Sequence, residues 1–400
     1  MKMSRIALFS DSYHEANGVA RTTHAIEACA QRRKIPLLSV HAGPETRLVS
    51  DGSILRLDLK RSSLLSFGLE HDLRFDLSMW RHSGRVAETL KWFAPDVLHF
   101  TGPSDVGQLG ACLGHRLSIP MIASWHTNLH EYASRRLRLS WASQARRDEA
   151  KAWVERQSLR LLMSFYKIPR VVLAPNRELA GLLESGTGKP TFLMSRGVDT
   201  DVFTPVRRRG PNAIVKIGYV GRLSAEKNVR LLQAVESELD AEGLDVRFTI
   251  VGDGSERDWL RQHMLRAEFT GVLRGDALAD AYAQMDIFAF PSETDTVGNV
   301  VLEAMASGVP AVIMAAGGQR FMVDAGQTAM VAQNRDAFVQ GVRALVKNRQ
   351  RREIMGVAAR ALAVDLLSWD RIFMDICHAY EVAMTAAEKG SQDLLLTSFS

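Results

Sequence analysis

Two acidic residues eight positions apart, Asp295 and Glu303, are of the type that binds substrate hydroxyl groups. They flank a predicted helix start near Gly298, which follows an apolar strand and a polar turn in segment 291–304. A carboxylate accepts hydrogen bonds from adjacent hydroxyls, so one acid could hold a sugar ring and the other a ribose. The free N–H groups at the helix start would attract a diphosphate. The two acids could instead be a helix-start charge and a surface side chain.

Two cations, Arg222 and Lys227, follow another predicted strand at the start of a second helix. Cations in such a position stabilise the negative charge that develops on an anionic leaving group. Pairing of these side chains with Glu226 or with solvent is the structural alternative. Their place at the carboxyl end of a strand favours a functional role.

Two further candidates lie in the first half of the chain. His126, in segment 124–128, comes at the end of a predicted strand, where a histidine is about equally often structural and catalytic. Gly18, in segment 17–22, belongs to a turn in which the backbone could approach a substrate closely.

Several known motifs are incomplete. The sequence has no complete G-x-G-x-x-G, which disfavours a dinucleotide dehydrogenase. Gly188-Lys189 is followed by Pro190, so it does not form a P-loop. The D-x-D triplet at 199–201 precedes a predicted linker and is interpreted as a loop. No His, Cys or carboxylate cluster has the spacing of a metal site, so we expect no metal.

Short apolar strands alternate with amphipathic helices in both halves of the chain, which is typical of a parallel α/β sheet. The predicted strands are 5–10, 96–100, 120–125, 171–174, 215–220, 248–251, 287–290 and 310–314, and the predicted helices are 19–30, one from about 225, and 299–307. Two prolines, a glycine and three arginines mark 204–211 as a linker. The sequence therefore predicts two doubly wound domains, with the active site in the cleft between them.

Composition excludes several classes of protein. The 400 residues are 46% hydrophobic and 24% charged, which is ordinary for a globular chain and excludes disordered or collagen-like proteins. Three scattered cysteines are too few for a disulfide framework. No apolar run approaches the roughly 18 residues of a membrane helix, and the apolar run after Arg5 is too short for a signal peptide. We therefore expect a cytoplasmic protein.

Charge is uneven along the chain. Residues 1–200 contain 28 Lys and Arg against 19 Asp and Glu, whereas residues 201–400 contain 22 against 26. The stretch 131–170 alone carries ten basic and four acidic residues together with Trp141, Trp153, Phe165 and Tyr166. Such a stretch could lie on an anionic membrane or be a solvated helix face. Because no nucleic-acid-binding module accompanies it, we expect no nucleic-acid partner.

The order and spacing of these segments resemble the retaining glycosyltransferases of family 4 along nearly the whole chain. The segments that carry the resemblance are 17–19, 124–128, 197–203, 221–223 with 227–228, 251–254 and 291–310. The run 292–303 is most similar to a subgroup of lipid glycosyltransferases, which includes GDP-mannose-dependent α-mannosyltransferases and the sulfolipid and digalactosyl-lipid synthases. The resemblance implies the GT-B fold, in which two Rossmann-like domains face each other across a cleft.

The resemblance also implies roles for individual residues. Arg222 and Lys227 would hold the donor diphosphate and Glu303 the donor ribose. Asp295 would bind the donor sugar in place of the first Glu of the family's E-x7-E pair. The remaining implied donor-site residues are His126 beside the sugar and phosphate, Gly18 in the first-domain loop, Arg274 at the base, and Val297, Gly298, Asn299 and Val300 at the helix start. His126, Arg222, Lys227 and Asp295 are the predicted catalytic set.

The implied reaction transfers a hexose from GDP-mannose or a UDP-hexose to a lipid or lipid-linked acceptor. It proceeds by front-face attack, without a protein nucleophile, metal or cofactor. A soluble sugar acceptor and, in another class, nucleotide-sugar epimerisation are the alternatives. The family often has Gly-Gly-Pro where this chain has Gly317-Gly318-Gln319-Arg320, in a loop that the resemblance places beside the donor region.

The resemblance further implies four segments and a cellular location. We expect an acceptor domain at 1–205, a donor domain at 206–365, a helix crossing back to the first domain at 366–388, and a mobile tail at 389–400. In lipid glycosyltransferases the first domain docks on membranes. The resemblance therefore favours contact of the stretch 131–170 with an anionic membrane. We therefore expect peripheral association with the inner face of the plasma membrane.

Overall fold

The computed structural model describes residues 4–10, 12–15, 18–63, 66–70, 73–126, 144–211, 213–295 and 298–397. The chain divides into two compact units, Met1–Ser195 together with Phe373–Ser400, and Arg196–Ile372. Each unit is built on its own predominantly parallel sheet, with a separate hydrophobic core. The prediction of two doubly wound α/β domains is therefore confirmed.

The sheet of the first unit has the strand order β10-β9-β8-β7-β1-β2-β4-β3. Its strands are β1 (Ile6–Ser10), β2 (Leu37–Gly43), β3 (Arg47–Asp51), β4 (Ile54–Lys60), β7 (Val97–Phe100), β8 (Met121–Ser124), β9 (Val171–Ala174) and β10 (Thr191–Leu193), and a separate antiparallel pair is formed by β5 (Ser66–Glu70) and β6 (Leu73–Asp76). Among the described strands of the main sheet, the edge strand β3 alone is antiparallel to its neighbour. The strands β1, β7, β8 and β9 are buried along their whole length, as expected where helices cover both faces of a sheet.

The helices of the first unit pack on these strands. They are α1 (Gly18–Arg32), α2 (Ser83–Phe93), α3 (Asp105–Arg116), α4 (Gln144–Tyr166) and α5 (Arg177–Thr187). Side chains cap two of them, since Ser104 accepts from Gly107 N and Asn176 accepts from Leu179 N. Gly110 of α3 lies so close to the Phe9 ring that a Cβ atom would come within 2.7 Å of it.

The sheet of the second unit is entirely parallel, with the order β13-β12-β11-β14-β15-β16. Its strands are β11 (Val215–Val220), β12 (Val246–Val251), β13 (Ala267–Gly271), β14 (Ile287–Phe290), β15 (Ala311–Met314) and β16 (Ala329–Ala332), and its helices are α6 (Arg230–Ala241), α7 (Arg257–His263), α8 (Gly275–Ala283), α9 (Asn299–Ala306), α10 (Arg335–Lys347) and α11 (Arg349–Leu366). This is the 3-2-1-4-5-6 order of a Rossmann fold, which reverses between β11 and β14.

One predicted helix starts later than expected. We predicted a helix from about Ala225, but residues Ala225–Lys227 form a single 3-10 turn and α6 starts at Arg230. Asn228 adopts a left-handed conformation with φ of 52°, which an α-helix does not tolerate. The turn therefore separates Lys227 from the regular helix.

The second unit begins earlier than the boundary predicted at 205. Val198 pairs with Ser368, and the Arg360 guanidinium donates to the carbonyl oxygens of Thr200 and Phe203. The predicted linker 204–211 also packs on this unit, because Arg207 forms ion pairs with both Asp276 and Asp280. Residues 196–211 are therefore part of the second unit rather than a free connection.

The last helix is longer than predicted. The helix α12 spans Trp369–Thr397, whereas we expected a crossing helix to end at 388 and a tail to follow. The segment 389–397 continues it and contains Gln392 and three leucines, which have high helix propensity, together with Gly390, which does not. From Phe373 onward the helix belongs to the first unit.

Candidate active site

The loops after β11 and β14 meet where the strand order of the second unit reverses. Carboxyl ends of parallel strands share one edge of a sheet, and ligands of doubly wound folds bind where the order reverses. The loop after β11 contains Arg222 and Lys227, and the loop after β14 contains Asp295. Three of the four predicted catalytic residues therefore lie at this switch point.

Glycines allow the first of these loops to lie against its neighbour. Gly252, at the end of β12, has φ of 138°, and a Cβ atom there would come within 1.9 Å of Gly221 O. Leu223 N donates to Asp253 O at 2.9 Å across the same contact. Glycine is therefore required at position 252, and the backbone before Lys227 is held in place.

Lys227 and Asp295 form an ion pair across the switch point. The Nζ atom of Lys227 lies 2.9 Å from Oδ1 of Asp295, and the two side chains are 19% and 22% exposed. Thr294 Oγ1 donates to Glu226 O at 3.2 Å, which joins the two loops beside this pair. A partly exposed pair of this kind can exchange partners with a charged ligand, because water and salt already weaken it.

Two buried side-chain oxygen atoms lie in this region, one on Asp295 itself and one on Asn299, four residues later. Oδ2 of Asp295 and Oδ1 of Asn299 accept no hydrogen bond from the part of the chain that the structure describes. A buried acceptor without a donor costs about 1–3 kcal/mol. Hydroxyl or amide groups of a ligand would remove that cost, so both atoms are candidate contacts for a polar substrate.

Glu303 is held by a buried tyrosine. Tyr282 OH donates to Oε2 of Glu303 at 2.9 Å, and the Tyr282 side chain is fully buried. Glu303 lies one turn inside α9, which begins after Gly298 in a left-handed conformation with φ of 75°. The carboxylate is therefore fixed on the same short helix whose N-terminus follows Asp295.

Two of the remaining predicted donor-site residues of this unit, Arg222 and Arg274, are exposed. Arg222 is 72% exposed, and its Nη1 atom lies 3.4 Å from Oε1 of Glu226. Arg274 stands before the first residue of α8 and is exposed. Val300 lies in the first turn of α9. Val297 lies outside the described residues.

Sequence reasoning missed Gln319 as a residue that shapes this site. Its side chain is fully buried, and Nε2 donates at 2.7 Å to the carbonyl oxygens of Ser292 and Ala316. Gly318 N donates to Asp295 O at 2.6 Å. The loop that departs from the family's Gly-Gly-Pro pattern therefore fixes the segment before Asp295. The only sequence signal was that departure itself.

His126 follows β8 in the first unit. Its Nε2 atom lies 2.7 Å from Oγ of Ser124, and Trp125 between them is buried against Tyr166. Gly18 is the first residue of α1, and its carbonyl accepts a hydrogen bond from Thr22 Oγ1. Residues 16–17 and 127–143 lie outside the described residues.

A buried polar chain continues from Ser124 into the core. His99 Nε2 lies 2.8 Å from Ser124 Oγ, and His99 Nδ1 lies 2.9 Å from Tyr380 OH. Burial lowers the pKa of His99 to about 3, because the charged imidazolium would lose its hydration. The ring is therefore neutral at physiological pH.

Family models match both units of the chain. The model described as Glycosyltransferase Family 4 matches residues 16–202, and the model described as Glycosyl transferases group 1 matches residues 215–348. A GDP-mannose-dependent alpha-mannosyltransferase of Mycobacterium tuberculosis is 32% identical over 308 residues, which are 74% of this chain and 75% of that protein. The chain belongs to glycosyltransferase family 4.

Other proteins are also similar to this family 4 glycosyltransferase. The sulfoquinovosyl transferase SQD2 of Arabidopsis thaliana is 30% identical over 70% of this chain, but the match spans only 55% of the plant protein. The structure of Anabaena HepE in complex with UDP and glucose superposes with a TM-score of 0.62 at 17% identity, over 94% of this chain and 99% of that one. The predicted family, fold class and enzyme class are thus confirmed.

One group in the described residues has a metal-like ligand set. His14 Nε2 and His41 Nδ1 lie 3.0 and 2.8 Å from the same Oδ1 atom of Asp58. Arg47 Nε lies 2.9 Å from the other oxygen of Asp58 and balances its charge. These hydrogen-bonding and charged partners hold the pKa of Asp58 well below its usual range. The cluster belongs to the first unit and does not include any predicted site residue.

Part of the basic stretch 131–170 forms the helix α4. Met163 and Tyr166 are buried in the first-unit core, whereas Trp153 is 58% exposed. Arg156 and Arg160 are also exposed and follow Trp153 at helical spacing. Among the described residues, no helix combines the length and the apolar composition that crossing a bilayer requires.

Proposed function

We propose that this family 4 glycosyltransferase is a retaining hexosyltransferase that uses a nucleotide-diphosphate sugar and a lipid or lipid-linked acceptor. The observation that carries the proposal is the Lys227–Asp295 pair at the switch point of the second unit. In this proposal the second unit binds the donor and the first unit binds the acceptor. The donor is GDP-mannose or a UDP-hexose, as the names of the mannosyltransferase relative and of the HepE complex suggest.

Binding of the donor exchanges the partners of this ion pair. The diphosphate takes Lys227 and Arg222 as its cations and receives hydrogen bonds from the start of α9. Asp295, released from Lys227, accepts hydrogen bonds from hydroxyls of the hexose. Glu303, oriented by Tyr282, holds the ribose, and Arg274 borders the base.

The reaction breaks the bond between the anomeric carbon and the oxygen of the departing phosphate. The acceptor hydroxyl forms the new bond on the same face of the sugar, and its proton passes to the departing phosphate oxygen. Arg222 and Lys227 stabilise the charge that develops on the nucleoside diphosphate. His126 contacts the sugar and its phosphate, and no protein nucleophile, metal ion or cofactor takes part.

The acceptor side of the proposal rests on α4. Its exposed tryptophan and arginines resemble a helix that lies on an anionic bilayer, where each Lys or Arg near the surface contributes about 1 kcal/mol. The name of the sulfoquinovosyl transferase relative fits a lipid acceptor. The proposed location is the inner face of the plasma membrane, with the protein bound peripherally.

Thermal unfolding with nucleotides tests the donor site. At about 100 times its Kd, GDP or UDP should stabilise the chain by roughly 2.7 kcal/mol. Preference for GDP would indicate mannosyl transfer, and preference for UDP would indicate another hexose. Glu303→Ala should remove the effect, whereas Glu353→Ala, which changes an exposed acid of α11, should retain it. Failure of both nucleotides to bind at millimolar concentration would overturn the proposal.

Vesicle sedimentation tests the membrane contact. The chain should bind vesicles with phosphatidylglycerol and remain in the supernatant with phosphatidylcholine alone. The double variant Arg156→Gln/Arg160→Gln should bind about thirtyfold more weakly, from about 1 kcal/mol per charge. Arg349→Gln/Arg351→Gln, which removes equal charge from α11, is the control. Equal loss in both variants would contradict the role of α4, and release into the supernatant would support a soluble acceptor.

Turnover of donor without any acceptor separates transfer from epimerisation. A transferase consumes little nucleotide sugar until an acceptor lipid is added. Production of an epimeric nucleotide sugar in the absence of acceptor would show that the protein is an epimerase rather than a transferase.

A further inference from the structure

We infer that Tyr380, His99 and Ser124 form a one-directional chain of hydrogen bonds that holds His126 in the tautomer with its proton on Nδ1. The geometry of the chain is independent of activity, but its importance for transfer rests on the proposed function of His126 at the donor sugar. Tyr380, His99 and Ser124 are positioning residues, because each acts on the substrate only through His126.

The chain is short, continuous and buried. Tyr380 OH lies 2.9 Å from Nδ1 of His99, Nε2 of His99 lies 2.8 Å from Oγ of Ser124, and that oxygen lies 2.7 Å from Nε2 of His126. The side chains of Tyr380, His99 and Ser124 are at most 1% exposed. Water therefore does not compete for these hydrogen bonds, and every donor must find its acceptor within the chain.

The hydroxyl of Tyr380 sets the direction of the chain. Within the part of the chain that the structure describes, His99 Nδ1 is the acceptor that this hydroxyl contacts. A buried O–H without an acceptor costs about 1–3 kcal/mol, so Tyr380 donates and His99 Nδ1 accepts. A neutral imidazole has one donor and one acceptor nitrogen. The proton of His99 is therefore on Nε2.

The same reasoning fixes the rest of the chain. His99 Nε2–H donates to Oγ of Ser124, and the hydroxyl of Ser124 then donates its own proton to Nε2 of His126. Because that nitrogen accepts, neutral His126 carries its proton on Nδ1. In this tautomer Nδ1–H is the hydrogen-bond donor of the His126 ring.

The reversed chain is less favourable. If His126 Nε2 donated to Ser124 and Ser124 donated to His99, then Nδ1–H of His99 would point at Tyr380. Its hydroxyl proton would then have no acceptor among the described residues. A protonated His99 could donate in both directions, but burial lowers the pKa of His99 to about 3. Neither arrangement competes at neutral pH.

Nitrogen-15 NMR of the full chain with labelled histidine tests the inference, because the shifts of Nδ1 and Nε2 report which nitrogen carries the proton. His99→Gln and His126→Gln assign the two resonance pairs. In the unmodified protein we expect His99 protonated on Nε2 and His126 protonated on Nδ1. His99 protonated on Nδ1 would overturn the inference.

Tyr380→Phe is the decisive variant, since it removes only the hydroxyl at the far end of the chain. Both directions then leave one atom of His99 without a partner, so His126 should become a mixture of the two tautomers. Tyr166→Phe is the matched control, because Tyr166 OH donates to the backbone carbonyl of Ser124 and not to its side chain. An unchanged His126 in Tyr380→Phe would overturn the inference, as would an equal change in Tyr166→Phe.

Activity gives the second measurement. We expect kcat/KM of Tyr380→Phe to fall about fivefold, as the loss of one aligned hydrogen bond predicts, while nucleotide-induced thermal stabilisation stays unchanged. Because the NMR experiment needs no substrate, it can succeed even where the donor proposal fails. Conversely, normal nucleotide binding with an unaltered tautomer in Tyr380→Phe would reject the chain and leave the proposed function standing.

Discussion

The two units place their polar groups at strand ends in opposite ways. In the second unit, Lys227 and Asp295 are charged, about one fifth exposed, and joined by a single contact. In the first unit, His99 and Ser124 are neutral, fully buried, and joined in a continuous series of contacts. His99 and Ser124 lie in the last two residues of β7 and β8, whereas Lys227 and Asp295 lie in the loops after β11 and β14. Both sets are thus near the carboxyl ends of parallel strands, and they differ mainly in solvent access.

This difference separates two tasks. A partly exposed ion pair is worth at most about 1 kcal/mol, so a diphosphate can replace one partner at little cost. A buried neutral chain cannot exchange partners without leaving a donor or acceptor unsatisfied. The second unit is thus suited to binding a charged ligand, and the first to keeping one imidazole in a fixed protonation pattern.

Lys227→Ala, which removes the cation of the second-unit ion pair, should have the largest effect on the transfer rate. The departing diphosphate would lose a cation at the developing charge, and removal of one such group typically lowers kcat by about 10²–10³-fold. The measurement is the rate of hexose transfer at saturating donor.

Lys347→Ala provides the matched control for that prediction. Lys347 also pairs with a carboxylate of the second unit, Glu242, but far along the chain from the switch-point loops. Its transfer rate should change less than about twofold, in line with the small contribution of exposed pairs. Equal rates in the two variants would show that Lys227 is only a surface partner of Asp295.

Gln319→Ala tests the second-unit site at a buried, neutral side chain, in contrast to the partly exposed ion pair. The substitution leaves the carbonyls of Ser292 and Ala316 without their donor, which should lower the free energy of unfolding by about 3 kcal/mol. Urea denaturation measures this loss, and the KM for donor should rise as well. Gln340→Ala, at an exposed glutamine of α10, should be neutral, and a neutral Gln319→Ala would refute the role of this loop.

The lowered pKa of the buried His99 predicts that the stability of the protein depends on pH. Its pKa is lowered to about 3 in the folded chain from an ordinary 6.5, so between these values the unfolded chain binds more protons than the native one. Stability is therefore lost as pH falls through this window, by about 2 kcal/mol between pH 6.5 and 5.

Calorimetry across that pH range measures the loss. His99→Gln should flatten the dependence, while His115→Gln, at an exposed histidine of α3, should not. A wild-type slope that persists in His99→Gln would assign the pH dependence to other groups.

The sequence was most informative where local pattern alone decides structure. Buried strands such as β11 and β14 appear as short apolar runs, and polar residues after them mark one edge of the sheet. That is why Lys227 and Asp295 could each be placed at this edge from the pattern, whereas their common role in a donor site was implied by the family resemblance. The local pattern did not reveal their direct contact, nor the left-handed turn at Asn228 that separates Lys227 from α6.

Other features depend on contacts between distant positions. His99 and Tyr380 are 281 residues apart, and nothing in either neighbourhood indicates the pairing. The early start of the second unit depends in the same way on Val198 meeting Ser368. Gln319 appeared only as a departure from a family pattern, because the burial that gives it a role is a property of the folded chain.

The position of Tyr380 on the last helix also has a consequence for synthesis of the chain. His99, Ser124 and His126 leave the ribosome long before Tyr380, which follows His99 by 281 residues. At about 5–20 residues per second, this interval is roughly 15–60 s. During that time the imidazole of His126 lacks the hydroxyl that sets its tautomer. The hydrogen-bond chain that sets the His126 tautomer is therefore completed only after the C-terminal helix has been made.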